Sequence, residues 1–308
     1  MSTNLPSDSK LSLSLFGLSQ KLEFLIQLYK LKKFPKVLMI SGKKGIGKAT
    51  LINHFLNYVY DNKNYDLKNQ TINSQSIFFK QYIDNLFPNI IYYSGSNYKN
   101  ISIEDIRNLK STLNKKTLSS FHRFIIFDDI ELFNINSLNA LLKAIEEPTI
   151  NNFFILINSQ SKPLIETITS RALEIKIFLN NDEKHNIINS LSTKYNINCI
   201  LNSTKINLTP GNFFVFNEIC LTHNINIDND YLKNLQTLLN LYKKEKNINF
   251  INMITFLTDH FFYNIKGLNI DKKIEDKNFI IKNVNKFIIY NLNQTSLINA
   301  ITNRLSNE

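Results

Sequence analysis

Cysteine is nearly absent: Cys199 and Cys220 are the only two in 308 residues. They stand far apart with no C-x-x-C pair, which excludes a disulfide framework and a cysteine zinc site. No apolar run approaches the roughly 18 residues a membrane helix needs. The opening MSTNLPSDSK has neither a charged start nor a following apolar stretch, so no signal peptide is expected. Together these absences imply a reducing, cytoplasmic setting. Arginine is also scarce. Of 36 basic residues only Arg107, Arg123, Arg171 and Arg304 are arginine, and lysine cannot copy the planar guanidinium fork. Glycine is scarce too: there are seven, and three of them fall at 42, 45 and 47.

What is present is a chain 43% hydrophobic, long enough for two or three domains, with a formal charge of +11. The charge has two readings. One is a nucleic-acid partner. The other is a Lys-, Asn- and Ile-rich compositional bias spread over a solvated surface.

Periodicity divides the chain in two. Leu18, Leu22, Leu25, Ile26 and Tyr29 mark a first helix, and KVLMIS (36–41) reads as a buried strand leading to the glycines. A helix follows over 48–60, then a polar, patternless stretch, 61–80, that reads as a loop or irregular insertion. NIIYY (89–93), RFIIFDD (123–129), FFILIN (153–158) and LEIKIF (173–178) read as further strands. Between them, Ser102 with Asp105 suggests a capping box, Ile135 to Ile145 a helix stopped by Pro148, and 163–169 a short helix. Strands alternating with helices predict a parallel sheet covered on both faces. Beyond 180 the alternation stops, and helices are predicted at 182–194, 211–222, 229–243, 249–264, 277–291 and 294–305. The fold class is therefore α/β followed by all-α.

The segment SGKKGIGKAT (41–50) carries the chemistry. Gly42, Gly45, Gly47 and Lys48 fit a phosphate-binding P-loop: glycines let amides crowd an anion, the next helix offers its N-terminus, and Lys48 reaches the phosphates. The plain alternative is an ordinary tight turn before a helix. Position 49 breaks the pattern. A Ser or Thr hydroxyl normally binds Mg²⁺ there, but Ala49 has no ligand atom, and Thr50, about 100° further round the helix, aims elsewhere. Asp128 and Asp129 end a strand where a magnesium-binding acid pair is expected. Asp129 stands where motor ATPases of this kind carry the longer Glu, and Glu131 is too far along to replace it. The alternative is a solvated acid pair. Arg171, just before the last strand, suits phosphate charge in a neighbouring active site, or else forms a surface ion pair. NALLKAIEEP (139–148) is physically an amphipathic core helix.

In sequence order, LFGLSQKLEFLIQLYKLKKFPKVLMISGKKGIGKATL, FPNIIYYSGSNYKNISIEDIRNL, RFIIFDDIELFNINSLNALLKAIEEP and ITSRALEIKI resemble the bacterial clamp-loader subunits of DNA polymerase III, the delta-prime branch most of all. The likeness covers about residues 15–180, and its N-A-L-L-K-x-x-E-E-P block is highly specific. It implies an AAA+ P-loop domain over 1–179, a small helical lid over 180–226 and a C-terminal helical collar over 227–308. It implies partners as well: the gamma/tau motor subunits, the delta subunit, the sliding clamp, and primer-template DNA enclosed by the ring, with no membrane. Delta-prime is the stator of that ring, a weak ATPase or none, and donates the arginine of an S-R-C motif to the adjacent ATP site. Ser170 and Arg171 match that motif, with Ala172 in place of the Cys. The sensor-1 residue falls at Asn158 or Ser159, which spacing does not separate. Residues 61–88 lack the cysteines of the family's zinc module, so no zinc is expected, and no residue is assigned as a metal ligand. No arginine follows Gly211, where a motor subunit carries sensor 2. Ala49, Asp129 and this missing arginine all favour a stator with ATP or ADP at most in a degenerate site.

Three alternatives stand beside it. An ATP-hydrolysing motor subunit of the same loader would replace the missing metal ligand with Thr50 or water. A small-molecule P-loop kinase would need more lid arginines than four allow. A plain DNA-binding protein would use the basic surface alone, with steep salt dependence.

Overall fold

The computed structural model describes residues 9–95, 103–113, 122–265, 267 and 269–306. Ser102, and with it the expected capping box, lies outside them.

Cα packing divides the chain into two compact units. The first comprises residues 1–198 and 202–213. Its strands are β1 (Val37–Ser41), β2 (Tyr65–Asp66), β3 (Thr71–Ile72), β4 (Ile90–Ser94), β5 (Arg123–Asp128), β6 (Asn152–Asn158) and β7 (Leu173–Lys176). Its helices are α1 (Ser19–Lys30), α2 (Lys48–Tyr60), α3 (Ile77–Ile83), α4 (Ile103–Leu113), α5 (Ile135–Glu146), α6 (Glu166–Thr169) and α7 (Asn181–Tyr195). Five strands form one parallel sheet in the order β4-β5-β6-β1-β7.

Side chains alternate across this sheet, and β1, β5 and β6 are buried on both faces, which is why they read as apolar runs; β4 is half-buried and the edge strand β7 is mostly exposed. Leu38 and Ile40 of β1, with Phe124 and Ile126 of β5, face Leu22, Leu25 and Ile26 of α1 and Leu51, Ile52 and Phe55 of α2. Val37, Met39, Ile125 and Phe127 face α4, α5 and α6 through Ile106, Leu109, Leu138, Leu141 and Ile168. Because β1 lies between β6 and β7 and its chain continues into the glycine loop, that loop stands at the C-terminal edge of a central strand, where open α/β sheets place their ligands.

Residues 61–80 are not irregular, as the sequence suggested. β2 and β3 pair antiparallel, and α3 begins at Ser76, whose Oγ accepts from Phe79 N at 3.1 Å. The hairpin and helix bury Tyr65, Ile72, Phe78, Phe79 and Tyr82 against α1 and α2. Strands of two residues are too short to show a period, so only tertiary burial reveals them.

The second unit holds residues 199–201 and 214–308. It contains α9 (Tyr231–Glu245), α10 (Ile248–Asn264), α11 (Ile270–Tyr290) and α12 (Gln294–Ser306), while α8 (Pro210–His223) runs from the first unit into it. Asn217 of α8 draws in the 199–201 segment, its Oδ1 accepting from Ile200 N at 2.8 Å and Leu201 N at 3.2 Å. α9 packs on α10, α10 on α11, α11 on α12, and α12 back on α9. Leu238, Met253, Ile280 and Ile301 are buried in this unit. α11 starts seven residues before the predicted 277 because its first turns, IDKKIED, are mostly charged and show only a weak apolar stripe. Among the described residues no helix is long and apolar enough to cross a membrane. The α/β front and all-helical back are as the sequence predicts.

Candidate nucleotide cradle and the exposed arginine

β1 ends at Ser41 and the chain turns through Gly42–Gly47 into α2. Gly42 N donates to Asn158 O at 3.1 Å, tying the loop to the end of β6. Gly47 caps α2 at φ +100°, a left-handed value that disfavours any side chain, and no side chain caps the helix. The amides of the first turn of α2 are thus presented to an anion. Lys48 is buried, and its Nζ donates to Gly42 O at 2.7 Å and to Lys43 O at 3.1 Å. Burial pushes its ammonium down to about 8, against the pull of Asp129, Asp128 and Glu131. Ala49 packs its methyl against the core, with no polar atom to offer.

The acid pair ends β5. Tyr92 OH donates to Asp128 Oδ2 at 2.5 Å, and Asp129 N donates to Asp128 Oδ1 at 3.0 Å. Burial, and next the Asp129 charge, raise the Asp128 carboxyl above its usual range, with the Tyr92 hydrogen bond opposing. Asp129 sits at φ +49° and is also buried. Its Oδ2 pairs with Lys44 Nζ at 3.1 Å and its Oδ1 accepts from Ser159 Oγ at 2.7 Å. The acids are therefore not a solvated pair. Each of their four oxygens has a partner within the chain.

Between the two sensor-1 candidates the contacts differ. Ser159 reaches Asp129, whereas Asn158 turns its Oδ1 to Gln160 N at 2.8 Å and contributes only its carbonyl to the loop. Glu131 is buried, and its carboxylate accepts from Ser159 N at 3.1 Å and from Ser161 Oγ at 2.8 Å. It fixes the turn that aims Ser159.

A strap that the sequence did not reveal crosses the glycine loop. Thr209 Oγ1 donates to Lys44 O at 2.7 Å and Gly211 N to Gly45 O at 2.8 Å. A Cβ on Gly45 (φ +78°) would meet Thr209 Oγ1 at 2.7 Å and Asn212 N at 2.8 Å. The only signal for it was LTPGNF (208–213) itself.

Arg171 stands apart from this cluster, its side chain 39% exposed beyond α6. None of its hydrogen bonds or ion pairs reaches the glycine loop. Its Nη1 donates to Thr167 O at 2.8 Å and its Nη2 pairs with Glu146 Oε1, at the end of α5, at 2.8 Å.

Chemically, the loop amides and Lys48 suit a phosphate group, once Lys48 leaves its own carbonyls. The donor set does not suit Mg²⁺, because position 49 offers a methyl and Asp129 is engaged by Lys44 and Ser159.

Sheet, loop and acid pair together define a P-loop α/β protein with a helical C-terminal unit. Residues 17–180 match the family described as DNA polymerase III, delta subunit. The chain belongs to that family. It is 27% identical over 229 residues to the DNA polymerase III subunit delta' of Buchnera aphidicola subsp. Baizongia pistaciae, covering 70% of this chain and 64% of that one. It is 26% identical over 149 residues to the subunit gamma of Buchnera aphidicola subsp. Acyrthosiphon pisum, covering 47% and 39%. The matches thus span less than two thirds of either relative's length. A solved gamma-subunit-related protein of Thermotoga maritima superposes with a TM-score of 0.46 at 16% identity, covering 91% of this chain and 99% of that one.

Proposed function

We propose that this chain is a delta-prime-type stator of a DNA polymerase III clamp loader, a ring that places the sliding clamp on primed DNA during replication. On this reading the chain works by shape and by lending Arg171 to the ATP site of an adjacent motor subunit. Residues 180–226 act as lid and 227–308 as collar. The partners are the gamma/tau motor subunits, the delta subunit, the sliding clamp and primer-template DNA, in the cytoplasm.

The observation that carries the reading is Ala49. A methyl at the head of α2 leaves a phosphate cradle with no side-chain metal ligand. Family membership and the surface position of Arg171 support it. Equilibrium binding of a fluorescent ATP analogue to the purified chain, with and without Mg²⁺, tests it alongside turnover. Weak binding indifferent to Mg²⁺, with background hydrolysis, is expected; brisk hydrolysis contradicts the reading.

A second reading, an ATP-hydrolysing motor subunit of the same loader, is favoured by the complete set of Gly42, Gly45, Gly47 and Lys48. It predicts micromolar binding that requires Mg²⁺ and slow turnover in the same assay.

A further inference from the structure

We propose that Glu146 is a positioning residue for Arg171, holding its guanidinium in a fixed pose while leaving part of it available to a neighbour's phosphate. This rests on the finger role proposed above.

A guanidinium has five N–H donors. In this chain Nη1 is occupied by Thr167 O at 2.8 Å and Ser170 Oγ at 3.4 Å, and Nη2 gives one contact to Glu146 Oε1 at 2.8 Å. Nε and one Nη2 proton remain without partners among the described residues. The two anchors come from different elements. Thr167 is on α6, about one turn before the arginine, and Glu146 is the last residue of α5. Crossing from one element to the other fixes the direction of the side chain as well as its reach.

An ion pair this exposed adds little to folding stability, since Arg171 is 39% and Glu146 43% accessible. Its effect is to order a long side chain before it meets its target. A free arginine gives up about 2 kcal/mol of rotamer freedom when it is fixed, which sets an upper limit of roughly thirtyfold in rate. Because Glu146 retains one contact while other donors stay open, the pair need not break for the guanidinium to reach an anion.

The test uses the assembled ring with primed DNA and reads the Arg171-dependent share of its ATPase, the native rate minus that of Arg171→Ala. Glu146→Ala is expected to lower that share about tenfold through kcat, leaving KM for ATP within about twofold. Glu146→Gln, which keeps an acceptor oxygen in place, is expected to recover it to within about threefold. Glu146→Asp, which keeps the charge but withdraws the oxygen by one methylene, is expected to lose as much as alanine. A share unchanged or raised in Glu146→Ala overturns the proposal, as does an effect confined to KM. Should Glu146→Ala fail to assemble, the Gln and Asp pair decides alone: equal rates in the two overturn it. If Arg171→Ala itself leaves the ring rate untouched, the finger reading fails and this proposal falls with it, whereas a clear fall in Arg171→Ala with an unchanged Glu146→Ala overturns this proposal alone.

Discussion

Gly45 and Gly211 meet backbone to backbone: Gly211 N donates to Gly45 O at 2.8 Å, and a Cβ on Gly211 would lie 2.8 Å from Gly45 Cα. Both neighbours are main chain, so neither side can yield by rotating a side chain. Gly211→Ala therefore forces the glycine loop away from the start of α8. The expected loss is about 1–3 kcal/mol in the first unit, read as a lower urea midpoint at unchanged slope. Thr209→Val, which removes only the bond to Lys44 O, is expected to lose about 1 kcal/mol.

Restoring a hydroxyl at the head of α2 isolates the metal question. Ala49→Ser adds one oxygen where a magnesium ligand belongs. We expect ATP affinity to become about tenfold higher with Mg²⁺ than without it, a coordination gain on the scale of one good polar contact. Turnover stays at background, because Asp129 remains short and paired with Lys44 at 3.1 Å. Equilibrium titration with the two nucleotide forms checks the first outcome and phosphate release the second.

Acid should weaken the first unit through His54. This side chain is fully buried, with Nδ1 3.0 Å from Tyr65 OH and Nε2 3.1 Å from Ser12 O, and burial lowers its pKa to about 4. The unfolded chain holds its proton near 6.5. Between those values the unfolded state binds more protons, so stability falls as pH drops from about 6.5 to about 4 and levels off below. The full loss is about 3 kcal/mol. Urea unfolding across that range should show the slope in the native chain, and His54→Gln should flatten it.

In the second unit, Asp276 is fully buried and its Oδ1 accepts from Arg304 Nε at 2.5 Å, while Oδ2 has no partner among the described residues. Arg304→Ala leaves a buried carboxylate uncompensated, and a loss near the low end of roughly 3–5 kcal/mol is expected. Replacing both, with Asp276→Leu added, should recover much of it. Thermal unfolding of the single and double variants measures the difference.

Local features were legible in the sequence and long-range pairings were not. Gly42, Gly45, Gly47 and Lys48 lie within seven consecutive residues, so their spacing alone describes the loop. The central strands β1, β5 and β6 were visible because both their faces are buried. By contrast, Asn158 and Ser159 follow one another at a strand end and point opposite ways. Only the contact of Ser159 with Asp129 separates them. Lys44 with Asp129, and Glu146 with Arg171, join residues 85 and 25 positions apart. No periodicity connects such distances; the sheet order brings them together.

On the proposed function, this chain serves a neighbour's ATP site with Arg171 and hydrolyses none itself. The most direct measurement is the ATPase rate of the assembled ring with native chain and with Arg171→Ala, after verifying equal assembly and equal thermal stability. A clear fall is expected, the adjacent site losing about 10³-fold or more, as arginine fingers do in related phosphoryl-transfer systems. An unchanged ring rate in a properly assembled Arg171→Ala complex would contradict it.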